Sequence, residues 1–410
     1  MQQSGVQTET ADQKIVFARR QWLTGYLFLL NAVYAISTTM MGPLMPRIID
    51  QYGITLSQGG LFVSAKSIGG ILAIVIGIFV SDRLSKSRLL SLAFFAFGLG
   101  LFLVGLVNVY VALLVVFFFI GAGSKLSDTL LSAYIADVRS DRRGYYLTLL
   151  HTFFGVGACA SPLYVYFLLS REIAWNKIFS ILGVIAIILI LLLPILTKNE
   201  KSDLPVRDPL KKQNERKSLL EPLRFMKGQP FIWIVSLIMF FYTGHHGTLS
   251  IWIPMYMEDY LEMAPAIAGL GITSLWIGMT LGRFLGAHLI ERLKPMRMLI
   301  FGALLGAVFM ASGLMTQNGT ILLAALFLNG LVTGGTIPLL VTIACNRYPD
   351  YSGTVSSLIF LSGSFASVFF PWFSGLIAEN TSLYTAMMLT WLTLLVIFGL
   401  GSALKKAAVS

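Results

Sequence analysis

From Trp22 onward, the chain alternates between long apolar runs and shorter polar connections. Twelve runs are long enough to cross a bilayer as helices, because ~20 residues with a 1.5 Å rise span the ~30 Å hydrocarbon core. They cover residues 22–41, 59–80, 89–107, 110–136, 145–168, 178–197, 231–254, 265–290, 298–316, 320–344, 354–377 and 383–403. The pattern predicts an all-α membrane protein with twelve transmembrane helices.

Lys and Arg are unevenly distributed among the connections. Of the 30, 24 lie in the two termini and the even-numbered connections, three lie in the odd-numbered connections, and three lie within runs. Cytoplasmic loops are enriched in Lys and Arg, so we expect both termini in the cytoplasm. The net charge of +11 then reflects membrane orientation, and we expect no nucleic-acid partner.

Composition agrees with a membrane protein. Hydrophobic residues make up 56% of the chain and charged residues only 12%, which excludes a soluble globular domain. The first 20 residues are polar, and the run from Trp22 is too long for the core of a secretory signal. We expect a multi-pass protein of the cell membrane, which in a prokaryote is the cytoplasmic membrane. We also expect it to be a monomer in the lipid bilayer.

One connection, residues 198–230, is long, basic and interrupted by four prolines. This composition is typical of a linker. It divides the chain into a six-helix bundle at residues 1–197 and a second six-helix bundle at residues 231–410.

The two bundles carry one repeated pattern. Gly77-x4-Asp82-Arg83-Leu84-x3-Arg88 returns 209 positions later as Gly286-x4-Glu291-Arg292-Leu293-x3-Arg297. The same offset relates Gly121 to Gly330 and Pro162 to Pro371. One register across several helices indicates duplication, so we expect two pseudo-symmetric bundles with a substrate held between them, as in many secondary transporters.

Lys125 and Asp128 lie near the middle of the run at 110–136, where one charge destabilises insertion by at least ~2.5–3.5 kcal/mol. Their counterparts 209 positions later are Gly334 and Ile337. A pair that the duplicated scaffold does not require is a candidate for function. Asp128 could carry a coupling proton or contact the substrate, or it could form a static pair with Lys125 or Lys66.

Other polar residues within the runs are candidate substrate or proton sites. Lys125 and Lys66 could hold an anionic group, although Lys66 could instead extend to the membrane interface. His245 and His246 are adjacent, and a free histidine side chain titrates near neutral pH. We take His246 as a second proton site and His245 as a substrate contact, with simple packing as the alternative for each. We expect no metal site, because no carboxylate lies near them in that run.

These residues resemble the major facilitator superfamily over essentially the whole chain. The connection from Asp82 to Arg88 is similar to that superfamily's signature after its second helix, with Ile78 and Ser85 replacing glycines. Two further segments resemble the fucose/glucose–proton symporter branch, namely Gly121-x-Gly123-x4-Asp128-Thr129 and Tyr242-x-Gly244. Ser132 and His246 stand where that branch commonly has asparagine and glutamate.

The resemblance implies further site residues. Helices one, four, seven and ten line the cavity in this superfamily, which makes polar residues there candidate hydrogen-bonding contacts: Asn31, Tyr34, Thr38 and Asn329. Trp276 lies mid-run, where its ring could stack on a substrate. Gating roles are expected near the cytoplasmic helix ends for Asp82, Arg83, Arg88, Arg142, Arg283, Glu291 and Arg292.

We therefore expect a secondary active transporter that moves a small polar solute, first of all a sugar or sugar-like compound, by proton-coupled alternating access. A receptor or scaffold with the shape of a transporter, signalling through residues 198–230, is an alternative of a different class. Two alternative transport functions also stay open. One is a transporter of organic or phosphorylated anions that uses the intramembrane lysines, and the other is a proton-antiport pump for drugs or lipids. The sequence has no Walker loop, zinc signature or nucleophile triad, so we expect neither an enzyme nor a cofactor.

Overall fold

The computed structural model describes residues 11–80, 85–197, 228–289 and 293–407, and every regular element within these ranges is helical. The first seven α-helices are α1 (Ala11–Thr39), α2 (Met41–Tyr52), α3 (Leu56–Val80), α4 (Lys86–Val104), α5 (Tyr110–Val138), α6 (Arg143–Leu169) and α7 (Trp175–Thr197). The next seven are α8 (Pro230–Met255), α9 (Pro265–Leu289), α10 (Pro295–Met315), α11 (Gly319–Thr333), α12 (Thr336–Arg347), α13 (Ser352–Asn380) and α14 (Leu383–Ala407). The predicted linker lies outside the described residues except for its last three positions.

Ten helical segments in the described part of the chain are long and apolar enough to cross a membrane. The pair α1 and α2, which meet at a 42° bend, would make an eleventh. α8 coincides with the predicted seventh run but is not among these segments, because Gly244, His245 and His246 lower the hydropathy of its middle. The structure agrees with a multi-pass all-α protein and recovers ten or eleven of the twelve predicted spans.

Two predicted spans are interrupted helices. The first was predicted to end at residue 41, but the chain continues through the bend into α2. That helix ends at Tyr52 and is capped by Gly53, which has a φ of 56°. Glycine adopts this left-handed backbone without strain. The tenth is broken at Gly334 and Gly335, between α11 and α12. Such a break frees backbone carbonyls for contacts with side chains.

The duplication is visible in how the helices cross. A Cβ atom added at Gly121 on α5 would overlap the carbonyl oxygen of Lys66 on α3. One added at Gly330 on α11 would overlap the carbonyl oxygen of Leu275 on α9, and both residues lie 209 positions after the first pair. A second couple with the same offset is Gly69 against Phe118 and Gly278 against Phe327. Close crossings of this kind require glycine, so the repeat in the sequence is also a repeat in packing.

The helices before and after the linker form two halves that meet along three helix pairs: α3 with α13, α6 with α9, and α2 with α8. At the first pair, Ser64 Oγ donates to the carbonyl of Val368 at 2.6 Å, and Ser67 Oγ donates to that of Ser367 at 3.1 Å. These contacts hold α3 against the opposite half over its middle turns. The space enclosed between the pairs contains the candidate site.

Candidate functional site

A cavity of 480 Å³ lies between the two halves. Helices α1, α2, α3 and α5 line one side, and α8, α9, α12 and α13 line the other. This volume suits a small molecule, because ligand pockets commonly enclose ~300–1,000 Å³. Lys66, Lys125 and Arg283 line the cavity, whereas no Asp or Glu is among the described residues that line it.

One end of the cavity is closed by α2 and the end of α8. Arg47 Nη1 donates to Glu258 Oε2 at 2.7 Å, and Arg47 Nη2 lies 2.6 Å from Glu258 Oε1. The helices also approach closely, since a Cβ atom added at Gly42 would overlap the carbonyl oxygen of Ser250. We call this end, defined by Gly42, Arg47 and Glu258, the closed end.

Other acidic residues surround the closed end. Ser57 Oγ, at the start of α3, donates to Glu379 Oε2 on α13 at 2.6 Å. Burial, together with the nearby carboxylates of Glu258 and Asp50, raises the pKa of Asp259. The sequence patterns did not identify Arg47, Glu258 or Glu379 as site residues. The sequence contained one indication of their proximity. All three follow odd-numbered apolar runs, which places them on the same side of the membrane in the predicted topology.

We call the opposite end of the cavity the open end. His151 on α6 is exposed there and lies within electrostatic reach of Asp128, Lys125 and Arg283. The charged region of the cavity therefore lies next to an exposed side chain at this end. Lys86 and Asp137 form an ion pair at the same end, on α4 and α5.

The predicted gating residues divide into three groups. Arg88 and Arg142 are exposed at the open end, and Arg283 lines the cavity. The remaining four, Asp82, Arg83, Glu291 and Arg292, lie outside the described residues.

Glycines bring Lys66 and Lys125 to the same wall of the cavity. Gly121 packs on the backbone of Lys66, and a Cβ atom added at Gly70 would lie 3.1 Å from the Cβ of Lys125. Both lysines therefore lie at the close crossing of α3 and α5. Lys66 does not extend to the membrane interface. Its side chain lines the cavity, and the next residue, Ser67, donates a hydrogen bond to the other half.

The two lysines differ in their partners. Lys125 Nζ donates to Asp128 Oδ2 at 3.1 Å, one turn along α5. Asp128 is also within electrostatic reach of Tyr34. Lys66 has no hydrogen-bond or ion-pair partner among the described residues. A half-buried ammonium without a partner needs water or a bound anion.

The wall formed by α8 and α9 carries polar atoms without protein partners. Among the described residues, Tyr242 Oη, Thr243 Oγ1, His246 Nε2 and Trp276 Nε1 are buried and unbonded, and all four residues line the cavity. Buried donors and acceptors are ordinarily satisfied. A solute in the cavity can supply these hydrogen bonds.

Aromatic rings run along this wall and into the first half. Ring centroids are 5.1 Å apart for Tyr242 and His246, 6.3 Å for His246 and Trp276, and 5.4 Å for Trp276 and Phe154. Phe154 in turn lies 5.6 Å from Tyr34. The wall therefore offers both hydrogen bonds and aromatic ring surfaces.

Arg283 on α9 completes the charged lining. Its Nε donates to the carbonyl of Gly334 at 3.1 Å, at the break between α11 and α12. Its guanidinium carbon lies 6.0 Å from the centroid of Trp276. Gly334 is the repeat counterpart of Lys125, so corresponding positions of the two halves each contact a charged side chain.

The remaining predicted substrate contacts divide between the cavity and the helix interiors. Tyr34 and Thr38 line the cavity. His245 is buried within the second half, where its Nδ1 lies 3.0 Å from the carbonyl of Thr390 and its Nε2 accepts from Asn329 Nδ2 at 3.0 Å. Asn31 is buried and donates to the carbonyl of Leu150. Asn31, His245 and Asn329 are therefore not part of the cavity wall.

Known proteins resemble this chain along most of its length. The glucose/mannose transporter GlcP of Bacillus subtilis is 22% identical over 92% of this chain and 93% of its own. The 4-hydroxybenzoate transporter PcaK of Acinetobacter baylyi is 24% identical over 94% and 91%. Among solved structures, the nucleoside transporter NupG has a similar fold, with a TM-score of 0.78, 13% identity and coverage of 94% and 99%.

The family model of the Major Facilitator Superfamily matches residues 27–371, and again residues 246–407. The first match covers most of the chain and both halves. The resemblance expected from the glycine and loop motifs is confirmed by this match and by the likeness to GlcP. The chain therefore belongs to the Major Facilitator Superfamily of membrane transporters.

Proposed function

We propose that this protein is a secondary active transporter that carries a small polar solute across the cell membrane by alternating access. The observation that supports this most directly is the cavity between the two repeats, closed at one end by Arg47 and Glu258. In alternating access, a central site is exposed to one side at a time by movement of the two repeats. The closed end in this structure is one of the two gates that such a cycle requires.

We take the membrane topology as twelve spans with both termini in the cytoplasm. Adding α8 to the ten segments and to the α1–α2 pair makes twelve. The excess of Lys and Arg in the even-numbered connections supports the orientation. In this topology the open end faces the cytoplasm, and the two six-helix bundles at 1–197 and 231–410 move relative to each other.

Proton coupling is assigned to Asp128, with His246 as a second site. Asp128 accepts from Lys125 beside the cavity, and a carboxylate between a lysine and solvent can change protonation as its access changes. A solute that separates the pair would leave the Asp128 carboxylate without its cationic partner. Proton binding and solute binding would then be linked.

Two solute classes have support. The similarity to GlcP and the motifs in α5 and α8 favour a sugar. The similarity to PcaK and the cationic lining favour an organic anion.

Uptake into proteoliposomes tests the transport function. Purified protein reconstituted with an inward proton gradient should accumulate a labelled solute from a panel of sugars and organic acids, and a protonophore should abolish the accumulation. Absence of flux for every solute, in both the gradient and counterflow formats, would overturn the proposal. Flux that does not depend on the proton gradient would support transport but exclude proton coupling.

A further inference from the structure

We propose that the cavity binds a small organic anion, with its charged group between Lys66 and Arg283 and its other end, a ring or hydroxyl group, against His246 and Trp276. This inference rests on the proposed transport function and names the class of its solute. The two solute classes differ in charge, and the charge of the cavity lining favours the anion.

The lining of the cavity is cationic. Lys66, Lys125 and Arg283 line it, no described Asp or Glu does, and Asp128 at its edge is already bound to Lys125. Neither Lys66 nor Arg283 has a carboxylate partner among the described residues. A neutral sugar would leave Lys66 unpaired in the occupied cavity, whereas an anion pairs with it.

The cations belong to opposite halves of the chain. Lys66 is held on α3 at the glycine crossing with α5, and Arg283 is held on α9 through Gly334. The guanidinium has five donor groups and uses Nε for the carbonyl, so its terminal nitrogens remain available for a planar anion. An anion bound to both would draw the halves together and so favour closure around the solute.

The wall formed by α8 and α9, which also carries Arg283, contacts the rest of the solute. Tyr242 Oη, Thr243 Oγ1, His246 Nε2 and Trp276 Nε1 lack partners among the described residues, and the rings of Tyr242, His246 and Trp276 form a continuous surface. A solute with a charged group at one end and a flat or hydroxylated body satisfies both walls. Aromatic and hydroxylated carboxylates have this form.

The first test measures the charge of the cavity without any assumption about the solute. Ser364→Cys places a thiol on the cavity wall at α13, in a background where Cys159 and Cys345 are replaced by Ser. The rates of modification by an anionic and a cationic methanethiosulfonate are compared. Lys66→Gln should lower the ratio of anionic to cationic rates about tenfold, because a charged cleft concentrates counter-ions.

Two controls accompany this measurement. Lys66→Arg keeps the charge and should keep the ratio. Lys294→Gln removes an exposed cation away from the cavity and should leave the ratio unchanged. A ratio that is the same in Lys66→Gln as in the parent, or that falls equally in Lys294→Gln, would overturn the cationic site.

The second test uses pairs of ligands that differ in charge. The melting temperature of the detergent-purified protein is measured with 4-hydroxybenzoate, lactate and glycerol 3-phosphate, with their uncharged analogues 4-hydroxybenzamide, lactamide and glycerol, and with glucose. We expect at least one anion to raise the melting temperature while its neutral analogue does not. The shift should disappear in Lys66→Gln and persist in part in Lys66→Arg.

The outcomes separate this inference from the function on which it rests. If glucose or a neutral analogue raises the melting temperature and no anion does, the anion site is overturned while transport can still be measured as flux of the neutral solute. If an anion binds through Lys66 but the reconstituted protein catalyses no flux, transport is overturned and the site remains. If no anion shifts the melting temperature, the anion assignment is lost.

Discussion

Arg47 and Glu258 form a two-point ion pair that joins the first and second halves of the chain, with N–O distances of 2.7 and 2.6 Å. Their side chains are 26% and 16% exposed, which is intermediate between a surface pair and a buried one. Such a pair contributes more than the small value of an exposed salt bridge, because both carboxylate oxygens are held and water is partly excluded. The pair joins the two halves only while this end is closed, so in the proposed transport cycle it would stabilise that state.

Arg47→Gln should therefore shift the protein toward the state in which this end opens. We expect a loss of roughly 1–2 kcal/mol for the closed state, which changes the ratio of states about 5–30-fold. Spin labels at the exposed residues Ala174 and Ala264, on the two halves at this end, should report a longer distance in the variant. The charge swap Arg47→Glu with Glu258→Arg should restore the short distance. An unchanged distance distribution in Arg47→Gln would show that Gly42 and its neighbours close this end without the ion pair.

Gly121→Ala should lower stability strongly. The added Cβ would overlap the carbonyl oxygen and neighbouring backbone atoms of Lys66, which cannot rotate away, so α3 and α5 must separate. Overpacking of this kind typically destabilises by ~1–3 kcal/mol. The matched control is Gly25→Ala on α1, where nothing lies within 4 Å of the added atom and alanine is favoured in a helix by ~0.5–1 kcal/mol. Melting temperatures in detergent compare the two, and equal values would contradict the close crossing.

The 209-residue repeat correctly predicted that equivalent helices of the two halves cross in the same way. Close packing of helices selects glycine, so Gly121 and Gly330 marked equivalent crossings before their partners Lys66 and Leu275 were known. The break at Gly334 and Gly335 was not predicted, because both residues lie in a continuous apolar run. Hydropathy reports the length of a run and not the direction of its axis.

The candidate site was only partly predictable for the same physical reason. Polar groups within apolar runs usually have a bonding partner or a function. This reasoning selected Lys66, Lys125, His246 and Trp276. The same reasoning selected His245, but whether a polar residue faces the cavity or the interior of its half depends on helix rotation, which a single sequence does not report. The pairing of Arg47 with Glu258 joins residues 211 positions apart and has no local signal.

Asp128→Asn should abolish accumulation driven by a proton gradient and preserve counterflow. The amide keeps the size of the carboxyl and can still accept from Lys125, but it cannot release a proton. We expect at least a tenfold loss of gradient-driven uptake of any transported solute, equivalent to ~1.4 kcal/mol or more of lost driving force. Proteoliposome uptake with and without the gradient measures both quantities.

The matched control for this change is Asp137→Asn. Asp137 lies on the same helix and pairs with Lys86 at the open end rather than beside the cavity. Solute uptake by the Asp137→Asn variant should still be stimulated by the proton gradient. Full stimulation in Asp128→Asn would exclude Asp128 as the coupling carboxylate, and equal loss in both variants would show that the effect is structural.

The adjacent residues His245 and His246 should respond in opposite ways to the same substitution. His245→Phe removes two hydrogen bonds in the interior of the second half and leaves Asn329 without a partner, so we expect a loss of roughly 2 kcal/mol or more in stability. His246→Phe removes a nitrogen that has no partner among the described residues and keeps a ring beside Tyr242. Its melting temperature should therefore stay near that of the parent.

Binding should show the reverse order. His246 lines the cavity and His245 does not, so His246→Phe should weaken the ligand-induced rise in melting temperature, whereas folded His245→Phe should keep it. Measuring each variant with and without ligand separates stability from recognition in one experiment. Equal losses of stability in both variants would place His246 in the packing of its helix, and an intact ligand response in His246→Phe would remove it from the solute site.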